Sequence, residues 1–231
     1  MLVILPAAWT AASKGMFGYY KVLRAAFRQT LGICIKPCLN RLNGRLAMSE
    51  LATLWLPILL SSIAVFFASF LAWVVIGHHT PDWSEITDEG SVIDFIRAQG
   101  LRPGQYMFPM ARTKEAMADE AKQQRMISGP WGTLNIWSRQ VKMSRNLLQT
   151  FVFYLVTSFF IAYLATLALE PRATFSRVFQ VTGTAGILAY AFGHVPNAIW
   201  FGTHRRPMLM DVVDGVCFGL ITGLIFAAFW P

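Results

Sequence analysis

Long apolar segments alternate with polar ones along this chain, and four of the apolar segments are long enough to cross a bilayer. They cover residues 51–76, 147–169, 178–201 and 208–231. A helix of about 20 residues spans the roughly 30 Å of hydrocarbon, because each residue adds about 1.5 Å. The pattern therefore predicts an all-α polytopic membrane protein with four transmembrane helices, the first within residues 48–76 and the other three within 147–231.

A polar segment, residues 77–146, separates the first span from the second and is too long for a structureless loop. Helices are predicted at 91–99 and 114–126, with Thr113 as the N-cap of the second and Gly129-Pro130 after it. Short strands are predicted at 106–108 and 133–137. We therefore expect a small α+β extramembrane cap between helices 1 and 2, too small to promise stability by itself.

Small residues recur at every fourth position in both of the last two spans. The row in the fourth span is Gly215, Gly219, Gly223 and Ala227. The row in the third span is Ala185, Ala189 and Gly193. This small-xxx-small spacing puts each row on one helix face, where a neighbouring backbone can approach closely. A short link makes the two helices antiparallel neighbours, so we predict that the two rows pack against each other.

Composition agrees with a membrane protein, and the distribution of charge narrows its partners. The chain is 55% hydrophobic and 14% charged, and its mean hydropathy is +0.47. Of the 20 basic residues, seven lie in residues 1–47, which contain no acid, so 13 remain against all 12 acidic residues. The net charge of +8 therefore belongs largely to this leader. We expect the lipid bilayer as a partner, with another membrane protein or a second copy as further candidates, and no nucleic acid.

The basic leader, residues 1–47, has two interpretations that lead to opposite orientations. It could form an amphipathic helix on an anionic leaflet, or it could be untranslated, with the start at Met48 directly before the first span. We favour the second. The positive-inside rule then places the cap in the cytoplasm and both termini outside, whereas counting the leader reverses this.

Histidines and acids at one end of the spans are the candidates for chemistry. All four histidines fall on the side of the membrane where the cap is predicted, which we call the cap side. Asp211 and Asp214 lie at a similar depth. These residues are His78, His79, His194 and His204. One hypothesis is a metal or proton site made by His194, Asp211 and Asp214, with His78 or His79 as further ligands. The other, which we favour, is a hydrogen bond between His194 and Asp214 that joins the last two helices.

Motifs of known enzymes are missing from the sequence. It contains no glycine-rich phosphate loop, no HExxH and no GxSxG. The three cysteines, Cys34, Cys38 and Cys217, suggest neither a disulfide framework nor a zinc site. We therefore predict no catalytic residue and no cofactor.

Three segments resemble an uncharacterised family of small bacterial four-helix integral membrane proteins. They are residues 55–73, 197–202 (NAIWFG) and 211–215 (DVVDG). The resemblance implies a multi-pass protein of a bacterial inner membrane and little about activity. We expect a non-catalytic accessory or assembly component. The alternatives are an oligomeric, proton-coupled carrier that uses His194 and Asp214, and a membrane enzyme with a metal on the cap side.

Overall fold

The structure is a computed structural model that describes residues 51–231. The predicted leader, residues 1–47, and the proposed start at Met48 lie outside these residues. Within the described range, three helices are long and apolar enough to cross a membrane: Trp55–Ile76, Met143–Ala168 and Arg205–Ala228. These contain the first, second and fourth predicted spans, so the prediction of a helical, multi-pass membrane protein is confirmed at this level.

The first of these helices changes geometry before it ends. Helix α1 covers Trp55–Phe70 and continues as a π-helical turn, Leu71–Ile76. Gly77 follows with a φ of 64°, a left-handed conformation that glycine adopts without steric cost. Its amide donates a hydrogen bond to the carbonyl of Ala72 at 3.1 Å. The chain therefore turns sharply away from the helix axis at the point where two histidines follow.

Residues 77–146 contain the predicted mixture of short helices and strands. The elements are α2 (Glu89–Ala98), β1 (Gly104–Phe108), α3 (Lys114–Ala118), α4 (Glu120–Ser128) and β2 (Gly132–Ile136). The two strands pair in antiparallel fashion, with Tyr106 opposite Leu134. Hydrogen bonds from the hydroxyl and the amide of Ser91 hold the pKa of Asp88, the N-cap of α2, below its ordinary value. The antiparallel pairing of β1 with β2 confirms the two predicted strands.

The predicted helix at 114–126 is divided into two by Asp119. Thr113 caps α3 as expected, since its hydroxyl accepts a hydrogen bond from the amide of Ala116 at 3.1 Å. Asp119 then leaves the helical conformation, with a ψ of 115°, and its carboxylate accepts from the amide of Ala121 at 3.0 Å. A short polar side chain that can cap a new helix competes with continuation of the old one.

The third predicted span, residues 178–201, is not one helix. Helix α6 covers Phe175–Tyr190 and α7 covers His194–Phe201, with a break between them. Pro196 explains the break, because proline has no amide to donate to the carbonyl four residues earlier and its ring collides with that carbonyl. The prediction of a continuous third transmembrane helix is therefore wrong. Helix α5 (Met143–Ala168) precedes this pair, and α8 (Arg205–Ala228) follows it.

Helix α8 packs against α6, α1 and α7, and α5 packs against α1 and α6. An aromatic cluster lies where α5, α6 and α8 meet. The rings of Tyr154, Tyr190 and Phe218 form three edge-to-face pairs with centroids 5.9 to 6.2 Å apart. Edge-to-face pairing places the positive rim of one ring against the negative face of another. This cluster packs the three helices together about one turn of α8 away from Asp214.

Glycines form the contact between α6 and α8. A methyl group on Gly223 would lie 2.8 Å from Cα of Gly183, and one on Gly186 would lie 2.8 Å from Cα of Gly219. A methyl group on Gly215 would lie 2.7 Å from the amide nitrogen of Ala191. These distances are too short for any side chain, so backbone packs on backbone as small residues allow.

The row on α6 differs from the predicted one. Gly183 and Gly186 take the positions at the contact that we assigned to Ala185, Ala189 and Gly193. Ala189 and Gly193 are exposed, and a methyl group on Gly193 would meet nothing within 4 Å. The helix break removes Gly193 from α6, whereas Ala185 and Ala189 lie within α6 but on a different face from Gly183 and Gly186. The α8 residues Gly215, Gly219, Gly223 and Ala227 are all buried.

Candidate functional site

Two histidines and two acids meet where the end of α1 reaches α8. The turn at Gly77 directs His78 and His79 back toward the helices, and a short 3-10 turn, Thr80–Asp82, follows them. Asp214 lies on α8, one residue before the glycine row begins. Because α1 packs on α8, these residues from distant parts of the sequence become neighbours.

The imidazole of His79 lies between two carboxylates. Its Nδ1 is 2.8 Å from Oδ2 of Asp82, and its Nε2 is 3.2 Å from Oδ2 of Asp214. The side chain is only 3% exposed. The ring of Trp73 stacks on it with centroids 4.0 Å apart and planes inclined by 12°. Packing and two polar contacts thus hold this ring in one orientation.

The contacts of His79 need more than a neutral imidazole. A neutral ring donates from one nitrogen only, whereas both nitrogens of His79 face carboxylate oxygens. A second ring proton, a proton on the facing carboxyl group or a cation at Nε2 can fill the other contact.

Nε2 of His78 also faces Asp214 and also lacks a group that satisfies it. This atom lies 3.1 Å from Oδ1 of Asp214, but the direction does not suit a hydrogen bond. This buried nitrogen therefore has no hydrogen-bond partner within the described part of the chain. A buried imidazole nitrogen without a partner is costly unless something else occupies its lone pair.

Arg206 connects the start of α8 to the loop after α1. Its guanidinium pairs with the Oδ1 atom of Asp82, and it donates a hydrogen bond to the carbonyl of His78 at 2.7 Å. Asp82 therefore receives hydrogen bonds from two sides, since its other oxygen faces His79. A cluster of four polar side chains, His79, Asp82, Arg206 and Asp214, links α1 to α8.

His194 forms a separate pair. Its Nδ1 lies 3.4 Å from Oδ2 of Asp211, and the two side chains are 47% and 31% exposed. The sequence predicted a contact with Asp214 instead. The break before α7 displaces His194 from the line of α6, so it contacts the acid one turn closer to the start of α8. His204 precedes α8 and is exposed.

A cavity of about 280 Å³ lies between α1, α5, α6 and α8, next to both groups. Its polar lining includes Ser69, His194, Asp211 and Asp214. Much of the remaining wall is aromatic and consists of Trp73, Phe153, Tyr154, Tyr190 and Phe218. The cavity places acids from α8 opposite an apolar, aromatic surface.

Sequence reasoning found the histidines and both acids of α8 but missed Asp82 and Arg206. A signal for Asp82 was present, because His79 and Asp82 are three residues apart across a proline-containing turn. In the sequence, Arg206 is one of several basic residues that flank a span. Its partner is 124 residues away in sequence, and spacing does not predict such a contact.

The arrangement can do one of two things. One nitrogen of His78, one of His79 and a carboxylate oxygen of Asp214 all lie within 4.8 Å of one another, as metal ligands do. Alternatively, a protonated His79 can act as a clamp between Asp82 and Asp214.

No protein-family model, curated protein or solved structure matches this chain.

Proposed function

We propose that this protein is a non-catalytic accessory or assembly component of a bacterial inner membrane. One observation carries the proposal: the cap has secondary structure but no core. None of the residues 83–146 is buried, although this range contains three helices and two strands. A segment that folds without burying its apolar side chains gains stability when another surface covers them.

The apolar side chains of the cap are large and strongly exposed. Trp83 is 78% exposed, Ile127 72% and Phe95 61%. Trp131 and Trp137 are 67% and 60% exposed. Aromatic residues are enriched at protein interfaces, where they supply much of the binding energy. We assign this surface to a partner membrane protein, with self-association as the competing outcome.

We further propose that the chain crosses the membrane four times, with α6 and α7 together making the third crossing. Helix α6 has 16 residues and is about 24 Å long, short of the hydrocarbon thickness. It lies antiparallel to α8, with Gly183 opposite Gly223 and Ala191 opposite Gly215. Helix α7 then leads to the start of α8, which supports a complete crossing.

A non-catalytic role also fits the polar groups between the helices. Asp214 and Asp82 face histidines, and Ser61 of α1 donates to the hydroxyl of Ser158 of α5 at 3.1 Å. In a bilayer such contacts join helices, because an unpaired polar group there is costly.

Co-purification from native membranes tests the accessory role. The full chain should bring one membrane protein with it in mild detergent. The variants Phe95→Ser and Ile127→Ser should each weaken the association about tenfold or more, since a buried side chain of this size contributes about 1.5–3 kcal/mol. Gln124→Ser, an exposed polar position on the same helix as Ile127, is the matched control.

Two results would contradict this proposal. The first is a chain that purifies alone or only with copies of itself. The second is equal recovery of the partner with Ile127→Ser and Gln124→Ser.

A second function, a proton-coupled carrier, is favoured by the cavity that His194 and Asp214 line. Four helices enclose little space, so a carrier of this size requires at least a dimer. The test is proton flux in proteoliposomes, where His194→Ala and Asp214→Asn should each abolish transport while Gln180→Ala leaves it unchanged. A monomer in mild detergent that shows no flux would exclude the carrier.

A further inference from the structure

We propose that His78, His79 and Asp214 bind a divalent transition-metal ion of the class of Zn²⁺ or Fe²⁺. The inference goes beyond the accessory role and does not depend on it, because a bound metal can serve structure alone. Two imidazole nitrogens and one carboxylate oxygen make up the ligand set. Borderline metals accept these ligands, whereas Mg²⁺ and Ca²⁺ prefer oxygen alone.

The distances between the ligand atoms fit one ion. Nε2 of His78 lies 3.1 Å from one oxygen of Asp214, and Nε2 of His79 lies 3.2 Å from the other. Tetrahedral zinc with bonds of about 2.0–2.1 Å separates its ligand atoms by roughly 3.3 Å. Each distance is close to that separation, but the two end on different oxygens of Asp214, so the ion would take one of these oxygens or both. All three ligand atoms lie within 4.8 Å of one another, which places them around a common point.

The second layer of contacts is the kind that metal sites use. Metal-bound histidines usually donate their other ring nitrogen to a carboxylate, which fixes the ring and its tautomer. Nδ1 of His79 lies 2.8 Å from Asp82, and Arg206 holds that carboxylate from its other side. With the proton on Nδ1, Nε2 of His79 carries a lone pair toward Asp214. Trp73 stacks on the ring and resists its rotation.

The unpartnered nitrogen of His78 distinguishes the metal from a protonated clamp. A proton on Nε2 of His79 satisfies His79 and leaves His78 as it was. A metal ion satisfies both, because it takes the lone pair of each histidine and the charge of Asp214. The negative charge available to the ion is that of Asp214, because Arg206 already pairs with Asp82.

The ion has room for a fourth ligand. Asp214 lines the 280 Å³ cavity, so a water molecule can complete the coordination from that side. His194 and Asp211 line the same cavity but contact each other, and we assign them no place among the ligands.

Metal binding by the purified full chain in mild detergent tests the proposal. After removal of metal with a chelator, the protein is mixed with Zn²⁺ near pH 7, and bound zinc is measured by mass spectrometry after gel filtration. We expect about one zinc per chain, with no comparable binding of Mg²⁺. His78→Ala and Asp214→Asn should weaken zinc binding at least tenfold. Asp82→Asn should weaken it about 10–100-fold without abolishing the site.

His194→Ala is the matched control, since it removes a histidine beside the same cavity and should leave zinc binding unchanged. A Co²⁺-loaded sample gives a second readout, because its visible spectrum reports the ligands and should change with His78→Ala. That variant keeps the test informative should Asp214→Asn fail to fold, since the His78 side chain is 23% exposed.

Three results would overturn the metal site. The wild-type chain could bind no zinc, His78→Ala could bind it as tightly as wild type, or His194→Ala could lose it equally. If the wild-type chain binds no zinc, the cluster is instead a protonated His79 held between Asp82 and Asp214.

Discussion

Gly219 leaves no space for a methyl group at the contact between α6 and α8. A Cβ atom there would lie 2.9 Å from the carbonyl carbon of Gly186 and closer still to the amide nitrogen of Ile187. Both neighbours are backbone atoms, so neither can move aside without shifting a helix. A single carbon atom therefore decides whether the two helices can meet.

We expect Gly219→Ala to destabilise the protein by about 2 kcal/mol or more, because overpacking costs about 1–3 kcal/mol and outweighs the gain in helix propensity. Thermal unfolding in detergent measures this change. Gly193→Ala is the control, since its φ of −63° suits alanine and its methyl group meets nothing within 4 Å. Equal unfolding temperatures for the two variants would contradict the close packing of α6 and α8.

Among the site residues, the sequence predicted which side chains lie near one another as a group better than which of them form pairs. Intramembrane histidines and acids stand out because they are costly in lipid, and all of those predicted lie near the cavity or the cluster except His204. Their pairing depends on how each helix is rotated about its axis and on the turn at Gly77. The amino-acid sequence alone reveals neither. His194 therefore contacts Asp211, while Asp214 faces His78 and His79.

At the scale of elements, serine hydroxyls join α1 to α5. Ser61 donates to the hydroxyl of Ser158 at 3.1 Å, and both side chains are fully buried. A double-mutant cycle with Ser61→Ala and Ser158→Ala should give a coupling free energy of about 0.6 kcal/mol, the average for hydrogen bonds between membrane helices.

Unfolding in mixed detergent micelles measures this coupling. Thr166→Ala provides the comparison, because the hydroxyl of Thr166 donates to the carbonyl of Tyr163 in its own helix. Pairing Ser61→Ala with Thr166→Ala should give a coupling near zero. A coupling near zero for the serine pair as well would argue against the contact between α1 and α5.

The elements show where hydropathy succeeds and where it fails. The predicted spans one and two contain no charged residue, and span four contains none after Asp214, so composition located these helices within a few residues. The segment 178–201 has a similar composition, but Pro196 breaks it, and hydropathy averaged over a window does not register the missing amide of one proline. The strands were found because turn residues bound them on both sides.

For the whole molecule, the number of crossings decides where the cap and the tail lie. With four crossings, a reporter inserted after Gly100 and one fused after Pro231 report opposite sides of the membrane. With three, when α6 and α7 do not cross, both report the same side. We expect opposite sides.

For a chain that starts at Met48, we expect the cap in the cytoplasm. The basic residues near the spans on the cap side are Arg139, Lys142, Arg145, Arg205 and Arg206, and those opposite are Arg172 and Arg177. Paired alkaline phosphatase and fluorescent-protein fusions make the measurement. A cytoplasmic signal at Pro231 would contradict this orientation.

The exposed apolar side chains of residues 80–146 also bear on how antibodies to this protein can be raised. With no interior of its own, that segment has nothing to preserve its shape once it is cut from the helices. Serum against the excised fragment should recognise denatured protein on blots and miss the native epitopes. An immunogen that displays those epitopes has to be the entire chain, kept in detergent or in a nanodisc.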